Sequence, residues 1–340
     1  MDTLAPGLTH AAVWSADGVT VREVPLPRPD RGQTLVRVDL ATVCGSDLHT
    51  VLGNRPAACP SVLGHEAVGH IVAAGADAPL AVGTRVVWSV TAACGQCARC
   101  LAGFTAKCAR VRKVGHESFD SDWPLSGGYA RHILLPAGVT LVEVPDRIPD
   151  AVAAPAACAT ATVMAALEAA GPLTGQRVLV LGAGMLGLTA TAACAERGAV
   201  VSVADPDPVR RTLATAFGGT PDSPGVGDLV DVAFDFSGAT TALTSALSRL
   251  DLGGTLVLAG SVSPGPTIAV NPEAVVRGWL TLTGVHNYEP RHLREAVEFL
   301  SGTVTRYPWE SVVAAPVALD AAHEVLAPTA PGVLRASIAP

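Results

Sequence analysis

The chain has 340 residues, of which 49% are hydrophobic and only 16% charged, and it carries a formal net charge of −7. This length exceeds what one hydrophobic core usually serves, so two domains are expected, and the composition excludes a disordered chain. The negative balance, with no long basic run, excludes nucleic acid and anionic membrane surfaces as partners.

The first residues, MDTLAPGLTHAAVWSADG, hold no basic stretch followed by an apolar one, so no secretory signal is expected. The most apolar stretches are Ala151–Ala170 and Val178–Val201. The first is broken by Pro155 and Glu168. The second is broken by Gly182, Gly184, Gly187, Glu196 and Arg197. Neither reads as a membrane span. A cytoplasmic protein is expected, with its eight cysteines reduced.

Residues 1–150 contain short Val/Leu/Ile runs cut by Gly and Pro, among them TLVRVDL, GHIVAAG, GTRVVWSV and GYARHILLP. These predict a β-rich region with long functional loops. Two chemical clusters lie within it. The first is Cys44-Gly-Ser46-Asp47-Leu-His49, followed by Gly64-His65-Glu66. The second is Cys94, Cys97, Cys100 and Cys108, four cysteines within fifteen residues. Four thiolates so spaced can close a tetrahedral shell around zinc with no open position, which stabilises a lobe (about residues 94–108) and does no chemistry.

At residue 151 the composition turns Ala-rich, and a helix is expected to run to Gly171 with Cys158 inside it. An α/β pattern follows. Strands are expected at Arg177–Leu181, Val200–Ala204, Val230–Phe236, Thr255–Ala259 and Leu280–Val285. Helices are expected at Met185–Arg197, Ala242–Leu250 and Pro290–Ser301. Alternation of this kind predicts a parallel sheet. The tail, 302–340, reads as short strands and turns.

Gly182-Ala-Gly184-Met185-Leu186-Gly187 stands between the first of those strands and its helix, the context a dinucleotide loop needs. Gly182 permits the tight turn, Gly184 lets the backbone approach a pyrophosphate, and Gly187 lets helix and strand pack closely. The helix N-terminus then offers unpaired N–H groups to the phosphates. Asp205 ends the second strand, 18 residues past Gly187. Its carboxylate suits ribose hydroxyls and repels a 2′-phosphate, which favours NAD over NADP. Arg210 or Arg211 is placed to reach the adenosine ribose.

Taken together, the CGSD-x-H segment, GHE, the four-cysteine lobe, the Ala-rich segment around Cys158, and GAGMLG with Asp205 resemble the zinc-containing medium-chain alcohol dehydrogenases over nearly the whole chain. The resemblance implies an α/β protein: a Rossmann doubly wound parallel sheet (158–286) plus a GroES-like β-barrel catalytic domain (1–157 and 287–340). It implies two Zn²⁺ per subunit and NAD. It places Cys44, His65 and Cys158 on the catalytic zinc, a ligand set that belongs to the family itself and rests on the resemblance. It makes Glu66 a nearby carboxylate able to replace water on the metal, Asp47 a partner that orients His65, and Ser46 and His49 a proton relay that runs through the cofactor ribose. Zinc and nicotinamide are expected to meet in the cleft between the domains. A homodimer or homotetramer is implied, with Leu280–Val285 a candidate for pairing across subunits. One departure is visible. Between Val200–Ala204 and Val230 the family has a further strand and helix, where this chain has only Phe217–Leu229.

The expected substrate is a small alcohol or aldehyde. Arg55 falls at a pocket position that is often apolar in the family, and Lys113 and His116 follow the cysteine lobe. A cationic pocket built from them would suit an anionic substrate. The phrases WSVTAACGQC, KVGHE, PAACATATV and GVHNYEP also resemble a branch of the family proposed to accompany phosphonate metabolism, which points to a hydroxyalkylphosphonate or phosphonoaldehyde. Two other readings stand beside this one: a polyol, amino-alcohol or secondary-metabolite dehydrogenase, and a non-catalytic NAD-binding protein.

Overall fold

In the computed structural model, which describes residues 7–223, 228–327 and 333–340, the chain divides into two units. The first comprises Met1–Cys158, Glu289–Val304 and Trp309–Pro340, and the second comprises Ala159–Tyr288 and Thr305–Pro308. The second unit thus keeps a short piece of the tail that the sequence assigned elsewhere. The reason is local: the Tyr307 ring stacks on Phe217 with centroids 5.9 Å apart, and its hydroxyl donates to Glu196 at 2.9 Å.

The first unit is built on two sheets. Leu8–Ser15 pairs antiparallel with Gly18–Pro25 and with Ser61–Val62. The larger sheet runs in the order Val317–Ala318, Ser337–Ala339, Thr34–Thr42, Glu66–Ala74, Arg85–Ala92, Arg112–Lys113, and all but its first pairing is antiparallel. Val36, Val38, Ile71, Val86, Trp88, Ile133 and Leu135 are buried together beneath it. Each aliphatic side chain among them contributes about 1.5–3 kcal/mol on leaving water.

The second unit is a six-stranded parallel sheet. From one edge its strands are Thr220–Pro221, Val200–Ala204, Arg177–Leu181, Val230–Asp235, Leu250–Leu258 and Thr281–Gly284. The expected trimming at one edge takes a definite form: a third strand survives as the two residues Thr220–Pro221, paired to Ser202 and Val203. Residues 224–227 of the short segment lie outside the described residues.

The Ala-rich helix needs correction. It is three pieces, a helix Asp150–Ala153, a 3₁₀ turn Ala154–Ala157 and a helix Ala159–Ala170, with Cys158 at the joint in a non-helical conformation (φ −130°). Pro155 brings no N–H to the helical ladder, and the chain tightens to a Cys158 N–H to Pro155 C=O bond at 3.2 Å. The strand Leu250–Leu258 also begins earlier than expected, and the helix before it is Thr240–Arg249. Among the described residues no single helix is long and apolar enough to cross a membrane.

Candidate metal and dinucleotide sites

Strand register assembles the first site. Thr42 lies opposite Glu66 in one antiparallel pair and opposite Ser337 in another. Cys44 comes just after the first strand, His65 just before the second and Arg335 just before the third, so all three arrive at one place. The helix Gly45–Val51 starts with Cys44 as its N-cap, and Asp47 accepts the Cys44 N–H at 3.2 Å. Gly64 holds φ +94°, and a side chain there would meet the Tyr129 ring at 2.6 Å, so glycine is needed to turn the chain into His65. The broken Ala-rich segment delivers Cys158.

Ligand atoms of Cys44, His65 and Cys158 all lie within 4.8 Å of one another. The Cys158 thiol bonds to the Cys44 sulfur, which pulls Cys44 well below the ordinary thiol value and pushes Cys158 well above it. Burial opposes charge on His65, but Asp47 and Cys44 outweigh it and hold the imidazole well above its usual value. His65 Nδ1 faces Asp47 Oδ1 at 3.4 Å, and Nε2 is on the side of Ser46 Oγ, also at 3.4 Å. Two sulfurs, one with its thiol held low by the other, and an imidazole facing a carboxylate are a donor set that fits a catalytic zinc with one open position.

Glu66 is fully buried. Burial raises its carboxyl, and the Arg335 guanidinium opposes that. Arg335 Nε and Nη2 reach its two oxygens at 2.8 and 3.0 Å, and Thr42 donates to it at 2.8 Å. Ser46 is half-buried, and His49 is exposed further along the same helix.

The four cysteines of the lobe come together, with their sulfurs all within 4.8 Å of one another. Sulfur separations are 3.4 Å (Cys94–Cys108), 3.5 Å (Cys97–Cys100) and 3.9 Å (Cys97–Cys108). Four thiolates bound at about 2.3 Å to one zinc stand about 3.8 Å apart, so the set fits that ion. The backbone N–H of Gln96, with Arg110, pulls the Cys94 thiol down to about 5, and burial pushes Cys100 up to about 12. Glu289 braces the lobe by accepting the N–H groups of Thr105 and Ala106 at 3.0 and 3.1 Å and the Thr105 hydroxyl.

In the second unit, Gly184 caps the helix Met185–Glu196, and Met185 is buried while Leu186 is half-buried. A Cβ on Gly187 would fall 1.7 Å from the Gly182 carbonyl oxygen, so the close approach of loop and helix requires glycine there. Asp205 accepts the N–H of Ala183 at 2.7 Å and of Asp207 at 2.9 Å, which ties the end of the second strand to the glycine loop. Each oxygen keeps a lone pair for a further donor. Arg211 folds back onto the Asp205 carbonyl, and Arg210 turns toward Asp207, its Nε 3.8 Å from Oδ2.

Of the three substrate candidates, His116 is not a cation. Burial first, then the neighbouring His65, hold its imidazole down at about 4, and its Nδ1 lies 2.7 Å from the Val114 carbonyl. Its ring lies 5.4 Å from that of His65. Arg55 acts electrostatically on both His116 and Lys113, and the half-buried Lys113 is pushed down by burial and then by Arg55.

Three participants escaped the sequence reading: Arg335, Tyr129 and Glu289. Tyr129 donates to Asp47 Oδ2 at 2.9 Å. Each is far in sequence from the motif it serves, so only the folded arrangement of distant segments reveals it.

A family model described as the alcohol dehydrogenase GroES-like domain matches residues 30–146. The L-threonine 3-dehydrogenase of Edwardsiella ictaluri is 30% identical over 295 residues, covering 80% of this chain and 82% of that protein. The 5-exo-hydroxycamphor dehydrogenase of Pseudomonas putida is 28% identical over 344 residues, covering 93% and 94%. The crystal structure of an alcohol dehydrogenase from Thermotoga maritima superposes with a TM-score of 0.89 at 25% identity, covering 98% of this chain and 99% of that one. With a four-cysteine set, a Cys–His–Cys set and a dinucleotide loop already in place, these likenesses show an oxidoreductase: the chain belongs to the zinc-dependent medium-chain alcohol dehydrogenase family.

Proposed function

We propose that this enzyme passes a hydride between NAD and a primary or secondary alcohol carrying an anionic group, with a hydroxyalkylphosphonate as the leading case. The observation that carries the reading is the pair Arg55 and Lys113. Among the described residues neither side chain has an acidic partner, and Arg55 acts on His116, which packs beside His65. Two neighbouring cations without an acidic partner, one of them acting on the ring beside His65, favour a substrate that brings the opposite charge.

Zinc held by Cys44, His65 and Cys158 would supply a Lewis acid that eases ionisation of the substrate hydroxyl. Ser46 accepts the hydroxyl proton, and His49 hands it to solvent. NAD, which the Gly182–Gly187 loop and Asp205 would hold, would supply the acceptor for the hydride that the alcohol carbon loses on becoming a carbonyl, and the same residues would serve the reverse direction. Asp205 supports NAD over NADP, since its charge repels a 2′-phosphate. Eight free cysteines suit a reducing cytoplasm. The edge strand Thr281–Gly284, preceded by Val276 and Trp279 at 72% and 80% exposure, supports a homodimer or homotetramer.

The threonine dehydrogenase relatives favour a second reading, an amino-alcohol substrate whose carboxylate meets the same two cations. NADH formation from 2-hydroxyethylphosphonate, L-threonine, ethanol and a polyol separates the two. The reading predicts the phosphonate ahead of the neutral alcohols, with Arg55→Ala raising its KM about tenfold or more and leaving ethanol almost unchanged. Equal kcat/KM for charged and neutral alcohols would overturn it.

A further inference from the structure

We propose that Tyr129 is a positioning residue of the metal centre, its phenol hydrogen bond holding the Asp47 carboxylate in the orientation from which Asp47 fixes the ring of His65. The inference rests on the reading of Cys44, His65 and Cys158 as one metal site.

Asp47 is 2% exposed and has three neighbours to serve. Oδ2 accepts the Tyr129 hydroxyl at 2.9 Å and the Cys44 N–H at 3.2 Å, while Oδ1 faces His65 Nδ1 at 3.4 Å. One carboxylate therefore touches the backbone of one metal ligand and the ring of another. The phenol is its shortest bond. Without it, Oδ2 keeps only a long bond from a backbone group, and the carboxylate can turn about its χ2 axis, which is a soft torsion.

Packing alone does not explain a phenol here. The ring lies against Gly64 and is fully buried, a role phenylalanine would fill with the same volume. A buried hydroxyl is tolerated where it has an acceptor, and the acceptors of Tyr129 are Asp47 Oδ2 and, at 3.4 Å, the Thr42 carbonyl. Burial and the Asp47 charge both push the phenol well above its ordinary value, so it stays protonated and acts only as a donor. The contact of His65 with Asp47 is loose, and Nδ1 makes no well-aligned hydrogen bond. The orientation of Asp47 thus depends on its other partners, and Tyr129 is the strongest of them.

The test uses the full chain loaded with cobalt(II) or zinc, comparing wild type, Tyr129→Phe, Asp47→Asn and the double variant. Readouts are the visible cobalt absorption of the mixed sulfur–nitrogen site, zinc affinity by chelator competition, and Tm. Partners of metal-ligating histidines typically contribute about 10–100-fold in affinity. The proposal expects Tyr129→Phe to weaken zinc at that site about tenfold and to shift its cobalt bands, with the four-thiolate site and Tm nearly unchanged. It further expects Tyr129→Phe to add nothing in the Asp47→Asn background. An unaltered cobalt spectrum and zinc affinity would overturn it. So would a Tyr129→Phe chain that unfolds or loses both metals, since the hydroxyl would then serve the fold at large, and so would additive effects in the double variant. A wild-type chain that takes up one metal instead of two would remove the metal centre itself, a failure distinct from that of Tyr129.

Discussion

The Arg335 guanidinium lies along the Glu66 carboxylate, with Nε and Nη2 on its two oxygens at 2.8 and 3.0 Å, and the same Nη2 stands 3.8 Å from the Cys44 sulfur. A buried ion pair therefore borders the Cys44–His65–Cys158 cluster, and the residue at its cationic end comes from the last described segment of the chain. Removing one partner of such a pair strands a charge in the interior, which typically costs about 3–5 kcal/mol. Arg335→Ala is predicted to lose that much in urea unfolding of the zinc-loaded protein. The double change Arg335→Met with Glu66→Leu should recover at least half of it.

Glu289 satisfies two backbone N–H groups and a hydroxyl beside the four-cysteine lobe. Glu289→Ala leaves those donors without an acceptor, at about 1–3 kcal/mol. The expected result is faster zinc release from the lobe to a chelator and earlier proteolysis within residues 94–108. The cobalt spectrum of the Cys44–His65–Cys158 site should not change.

The His116 imidazole is held at about 4, against an ordinary value of 6.5. Because the folded value is the lower one, the unfolded chain takes up the proton first as pH falls. The stability associated with a neutral His116 is present above about pH 6.5 and is lost as pH falls toward 4. Between pH 7.5 and 5.5, wild type should lose about 1 kcal/mol more than His116→Asn in urea unfolding. Parallel pH profiles for the two proteins would contradict this assignment.

At Gly187 a methyl group would stand 1.7 Å from the Gly182 carbonyl oxygen. Gly187→Ala must push helix and loop apart, so NADH affinity is predicted to fall at least about tenfold by fluorescence titration, with a lower Tm as well. Gly175→Ala, whose added Cβ meets nothing within 4 Å, serves as the control at a left-handed position away from the loop.

Much of this was legible from local pattern. The strand–glycine–helix unit at 177–197, Asp205 and the four clustered cysteines each declare themselves within a few residues, because turn chemistry and ligand spacing are local properties. The joint at Cys158 was hidden by alanine, whose high helix propensity masks the break that Pro155 introduces. Arg335, Tyr129 and Glu289 were hidden for a different reason. Each reaches its partner through pairing of distant segments, and no short window of sequence encodes that. His116 shows a further gap, since its residue type suggests a cation and its burial makes it neutral.

The central claim is that two zinc ions bind and that the one on Cys44, His65 and Cys158 carries the reaction. Zinc per chain in the native protein, counted by mass spectrometry beside NAD reduction, tests it most directly. Wild type should hold two zinc ions and turn over, while Cys158→Ala should hold one, stay folded through its four-thiolate lobe, and be inactive. A Cys158→Ala chain with one zinc and full turnover, or with two zinc ions, would contradict the account.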